Sequence, residues 1–197
     1  SDAWASAEAR PAGDAAVASV GGTPSRVNGD APAAELRLPA GLFTIRTWDP
    51  RSEGVVLVEL FEESGNGDGR LVNLSARGTT GVGERVLIAG FVIEDGPLPV
   101  LVRAVGTGVA ANGVEGAADD PSLVLYAADG AIVADNESWT SDSLAVEDAA
   151  KRSGAFPLLH DSDAALVVVL EPGSYTAHAR NASGREGVVL LEIYDAR

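Results

Sequence analysis

The chain has 197 residues, 46% of them apolar, and carries 29 acidic against 14 basic side chains for a formal net charge of −15. That apolar share suffices for a core and argues against wholesale disorder, while the absence of cysteine removes disulfides, thiolate metal sites and a cysteine nucleophile. The acidic field repels nucleic acid and anionic membranes, and no run approaches the roughly 20 apolar residues of a membrane helix.

The chain also lacks methionine. It reads as a processed product or a piece of a longer polypeptide, its export signal already removed. Among the basic residues only Lys151 is a lysine. An acidic, solvated surface of this kind suits extracellular or cell-surface surroundings.

In chain order, a short surface helix is expected around Ala15–Val20, followed by the stretch LPAGLFTIRTWDPRSEGVVLVELFE at 38–62. A Gly-rich connection, SGNGDG at 64–69, comes next. Period-two segments rich in Val, Leu, Ile and Tyr then fall at 70–77, 85–94, 99–106, 122–127, 131–135, 165–171, 174–180 and 187–195. Asp129-Gly130 between two of these runs signals a hairpin, and Pro172-Gly173 signals a turn. Residues 143–154 break the pattern with helix formers and end on Gly154, so a second short helix is expected there. Many short strands with turns every 8–12 residues predict an all-β fold, an antiparallel sandwich of jelly-roll type with short surface helices.

The passage at 38–62 returns at 170–195 as LEPGSYTAHARNASGREGVVLLEIYD. With one gap, nine positions are identical: Leu38/Leu170, Gly41/Gly173, Thr44/Thr176, Glu53/Glu186, Gly54/Gly187, Val55/Val188, Val56/Val189, Leu57/Leu190 and Glu59/Glu192. Phe43/Tyr175, Leu60/Ile193 and Phe61/Tyr194 are chemically similar pairs, and Trp4 matches Trp139 upstream. The matched copies run over about 1–63 and 136–196. Residues 70–135 occur once. The expected organisation is therefore a half-repeat at 1–64, a linker at 65–69 and a complete sandwich at 70–197. An alternative phase pairs 1–64 with 70–139 and leaves 140–197 incomplete. The missing strands of the half-repeat come from a longer tandem array, from a neighbouring identical subunit by strand complementation, or from folding back on the complete domain.

SLVLYAADGAIVADNESW followed by LEPGSYTAHARNASGREGVVLLEIYD resembles the bacterial prepeptidase C-terminal (PPC) domain: strand, Asp-Gly turn, strand, acidic loop, then a closing strand after glycine. RLVNLSARG, VLIAGFVI, VLVRAVG and the ending EIYD are also similar to tandem repeats of large secreted bacterial proteins. The resemblance covers 70–197 fully and 1–63 in part. It implies extracellular β-sandwiches that act as spacers, adhesive modules or accessory domains without catalysis of their own.

No catalytic pattern emerges from the residues themselves. His178 shares the outer face of its strand with Thr176 and Arg180, opposite Tyr175, Ala177 and Ala179. His160 sits in the loop LLHDSD, and adjacency to Asp161 in sequence is no triad. No G-x-S-x-G elbow is present, and GTTGVGER lacks the lysine of a phosphate loop. The protein is not expected to be an enzyme and no cofactor is expected. Calcium is the one cation considered, with Asp119, Asp120, Asp135 and Glu137 as candidate ligands pooled from loops at one end of the sandwich. Trp4 and Trp139 hold equivalent positions and are assigned to packing. Trp48 points outward and, with Leu36, Leu38, Val56, Val58 and Leu60, is a candidate contact for a partner. Asn73, Asn136 and Asn181 each open an N-x-S sequence compatible with a glycan. The sequence thus predicts a non-catalytic extracellular structural protein, a segment or subunit of a filament or stalk of identical subunits. The alternative is a carbohydrate- or calcium-binding accessory or adhesion module.

Overall fold

The computed structural model describes residues 36–47, 54–62 and 69–197. The chain divides into two units, Ser1–Leu71 and Val72–Arg197. Among the described residues of the first unit, none lies in a helix or strand and all are exposed. The expected helix at Ala15–Val20, together with Trp4 and Trp48, lies outside the described residues.

The second unit is built from eight strands: β1 (Asn73–Thr80), β2 (Leu87–Ile93), β3 (Leu98–Val105), β4 (Pro121–Ala127), β5 (Ile132–Asn136), β6 (Ala164–Leu170), β7 (Gly173–Asn181) and β8 (Gly187–Asp195). Each corresponds to one of the period-two segments. They form two antiparallel four-stranded sheets, ordered β1-β8-β3-β6 and β2-β7-β4-β5. This is the strand order of a jelly roll. Only β4 and β5 are joined as a hairpin within one sheet. Its turn has Gly130 at φ +83°, and the Asp129 carboxylate accepts the Ala131 amide at 2.9 Å. The other connections, including the Pro172-Gly173 turn between β6 and β7, cross between sheets.

The alternation of each strand sends one set of side chains into the space between the sheets. Val100, Val102 and Ala104 of β3, Val189, Leu191 and Ile193 of β8, Leu123 and Leu125 of β4, and Ala177 and Ala179 of β7 make the main core. Two short helices complete the unit, α1 (Thr107–Ala110) and α2 (Ser143–Ser153), the latter preceded by a 3-10 turn at Trp139–Asp142. Helix α2 ends at Gly154, whose φ of +72° suits glycine, and its last turn carries Lys151 and Arg152, favourable for the helix dipole. It buries Val146, Ala149 and Ala150 in a second cluster with Leu101, Val105, Ala165 and Tyr194. The sheet β1-β8-β3-β6 is therefore covered on both faces, which is why β3 and β8 read as nearly unbroken apolar runs.

The pairing has one property that matters for the repeat. Strand β6 pairs with β3, β7 lies between β2 and β4, and β8 lies between β1 and β3. Every sheet partner of the three strands in the duplicated portion comes from the portion that occurs once.

Candidate functional site

The strongest polar feature lies where β3 and β8 run side by side beneath α2. Arg103 and Glu192 are register partners, and both are buried. The Arg103 Nε and Nη2 atoms donate to Glu192 Oε2 at 3.0 and 2.5 Å, and Nη1 donates to the Phe156 carbonyl at 2.5 Å. The Tyr194 hydroxyl donates to Glu192 Oε1 at 2.7 Å. The guanidinium carbon lies 4.2 Å from the Phe156 ring centroid and 5.7 Å from that of Tyr194. Burial, then the hydrogen bond to Glu192 and its charge, push the Tyr194 phenol well above its ordinary value of 10.0. A charge pair taken out of water is tolerated only when its hydrogen bonds are filled, and here they are. Its outward sign in the sequence is a single Arg in PVLVRAV and a single Glu in VVLLEIY.

A second buried group ties the loops together. The Asp163 carboxylate is wholly buried and accepts the Gly106 amide at 2.9 Å and the Gly108 amide at 3.1 Å. Its carbonyl accepts the Trp139 amide at 2.9 Å, and the Trp139 indole N–H donates to the His160 carbonyl at 2.9 Å. Trp139 is thus a half-buried packing residue. Desolvation raises the Asp163 carboxyl above its ordinary value of 3.8, opposed by the Gly106 and Gly108 amides. Beside this clamp is a depression of about 470 Å³ lined by apolar Phe156, Pro157 and Leu159 together with Asn112 and His160.

Asp119 is exposed, but its carboxylate takes the Asn181 amide at 3.0 Å, the Ser183 hydroxyl at 2.8 Å and an ion pair with Arg185. Asp120, Asp135 and Glu137 lie at the same end of the β4–β5 pair, yet no three His, Asp or Glu side chains among the described residues converge as a cation site. Asp119 therefore ties the loop before β4 to the β7–β8 turn. His178 lies on the outer face of its sheet, 4.7 Å from the Tyr126 ring. Burial, then Arg180, lowers its pKa below 6.5. Asn181 is buried and its amide nitrogen is donated to Asp119, so a glycan there does not fit the folded unit. The Asn136 amide is likewise engaged, with the Ser141 hydroxyl and the Ala165 N–H. Leu36, Leu38, Val56, Val58 and Leu60 are all exposed.

No family model and no curated protein sequence matches the chain. Among solved structures it is similar to the pre-peptidase C-terminal domain of collagenase from Bacillus anthracis. That match has 10% identity and a TM-score of 0.39, over 62% of this chain and 89% of that one.

Proposed function

We propose that the chain is a non-catalytic extracellular structural module, a segment of an array of repeated β-sandwiches. In this reading residues 36–62 are the closing strands of a second sandwich. They are completed by a front half of the same type that residues 1–197 do not contain. One contrast carries it. Leu170, Val189, Leu191 and Ile193 are 2, 0, 0 and 6% exposed, while their counterparts Leu38, Val56, Val58 and Leu60 are 53, 58, 50 and 49% exposed. The same side chains that form the core of one copy lie about half open in the other, at roughly 0.7–1.5 kcal/mol of unrealised burial each. The interleaved pairing of β6, β7 and β8 gives the reason: such strands have no sheet partners among themselves.

The same counting bears on assembly. Each chain holds one front half and two back halves. Exchange between identical copies of residues 1–197 moves front halves around and leaves one back half per copy uncovered, so a filament of such copies needs front halves from elsewhere. The array reading needs no second species. The mass of native material on a denaturing gel separates the two sources. A band far above 20.0 kDa supports a tandem array. A polymer that boiling reduces to about that mass supports complementation by separate chains. A native monomer of that mass with residues 55–62 already protected from hydrogen exchange overturns both.

A further inference from the structure

Building on that reading, we propose that Glu59 is the docking point for an arginine on the strand that completes the first copy. The occupant of this surface is thus a β3-type strand, apolar with one arginine on the face turned away from the space between the sheets, from a related front half. In the complete unit β8 is an interior strand, and Glu192 faces Arg103 directly across the β3 pairing. Glu59 is the counterpart of Glu192 within the block GVVLxE, identical in both copies apart from Val58 against Leu191. It is exposed, as are the residues flanking it from Gly54 to Glu62. Covered as Glu192 is covered, its carboxylate would be buried without a counter-charge unless the incoming strand brings one. Phe61 stands where Tyr194 stands, so it offers a ring for the cation but no hydroxyl for the carboxylate. The arginine is then the chief donor to Glu59.

The occupant also differs from this chain's own front half. Ala177 is wholly buried between its register partners Ala89 and Leu125, and its counterpart is Ile45. Fitting Ile45 into that space adds three carbons to a filled core, an overpacking that destabilises. A front half matched to the first copy therefore keeps the arginine and leaves more room opposite Ile45. It belongs to a related repeat rather than to a second copy of this chain.

The test is a fusion that places a second copy of residues 70–135 ahead of Ser1, with Ile45→Ala relieving the overpacking. Hydrogen exchange is followed by mass spectrometry on peptides spanning 55–62 and, as an internal control for the complete unit, 188–194. Relative to the unfused chain, exchange at 55–62 is expected to slow by about 10²-fold or more, the scale of amides inside a cooperative sheet. Arg103→Leu in the added segment alone, or Glu59→Leu alone, strands one charge and returns 55–62 to rapid exchange. The two together restore protection, because an apolar pair replaces a buried ion pair acceptably. Protection in the parent fusion that Glu59→Leu leaves unchanged overturns the arginine contact while the repeat reading stands. A fusion in which 188–194 is protected and 55–62 is not overturns both. If the single variants disturb the control peptides too, the double variant decides: failure to regain protection at 55–62 overturns the pairing.

Discussion

Removing one partner of the buried pair beneath α2 should cost far more than removing both. Arg103→Leu leaves Glu192, 4% exposed, as an unpaired charge in the interior. Stranding a buried charge in this way costs about 3–5 kcal/mol. Glu192→Leu strands Arg103 at a comparable cost, relieved in part by the Phe156 carbonyl and the Phe156 and Tyr194 rings it still faces. In the double variant both charges are gone. What is left behind is the Tyr194 hydroxyl and the Phe156 carbonyl, each without its partner. Each such loss is worth about 1–3 kcal/mol at most, and less where water reaches the group. The double variant should therefore fall about 2 kcal/mol below the parent, milder than either single change, with a coupling energy of several kcal/mol. Against a total stability of about 5–15 kcal/mol, either single variant loses a large share of it and reaches the edge of folding only at the lower end of that range. The assay is equilibrium unfolding in urea, which does not screen charge, followed by the far-ultraviolet circular dichroism of the strands. Costs that simply add, within about 0.5 kcal/mol, would refute the view that the two groups are held as one buried unit.

Three further outcomes follow from the same interior. Gly187→Ala puts a Cβ 2.6 Å from the Ala118 Cα, and Gly106→Ala puts one 2.3 Å from the Ala118 oxygen. Each should cost about 1–3 kcal/mol and lower Tm by several degrees, measured by calorimetry, whereas Gly54→Ala, which meets nothing within 4 Å, should not. Asp163 has a folded-state carboxyl raised above 3.8, so its favourable share of stability is complete below that pH and is lost as pH rises through the folded value. The stability of the parent relative to Asp163→Asn should fall on going from pH 3 toward neutrality; a flat difference in Tm would show that desolvation does not dominate there. Tyr194 is shifted upward from 10.0, so its contribution is present below that pH and declines above it. Tyr194→Phe should blunt the alkaline loss of stability, read as Tm between pH 9 and 12.

The strands were legible because each half-buried run alternates. The segments read at 122–127, 131–135 and 187–195 differ from β4, β5 and β8 by at most one residue at either end. Helix α2 was legible from Gly154, whose left-handed backbone stops it. The buried ion pair was half visible. PVLVRAV and VVLLEIY each set one charge within an apolar run, but what neutralises it depends on which strands become neighbours, and β3 and β8 are 89 residues apart at Arg103 and Glu192. The partners of the acidic loops were hidden for the same reason: Asn181, Ser183 and Arg185, which engage the Asp119 carboxylate, lie more than 60 residues later. Local pattern records the period of a strand; it does not record the far side of a sheet.

The topology also fixes where the chain enters and leaves the unit. Strand β1 begins beside the end of β8: Asn73 is the register partner of Tyr194, and the Asp195 amide donates to the Val72 carbonyl at 3.0 Å. Chain entry and exit of this unit therefore share one pole of the sandwich. Strand β8 is the interior strand that β1 and β3 clamp on either side. A unit whose last-written strand sits at the centre of its sheet stays open until front and back halves are both present.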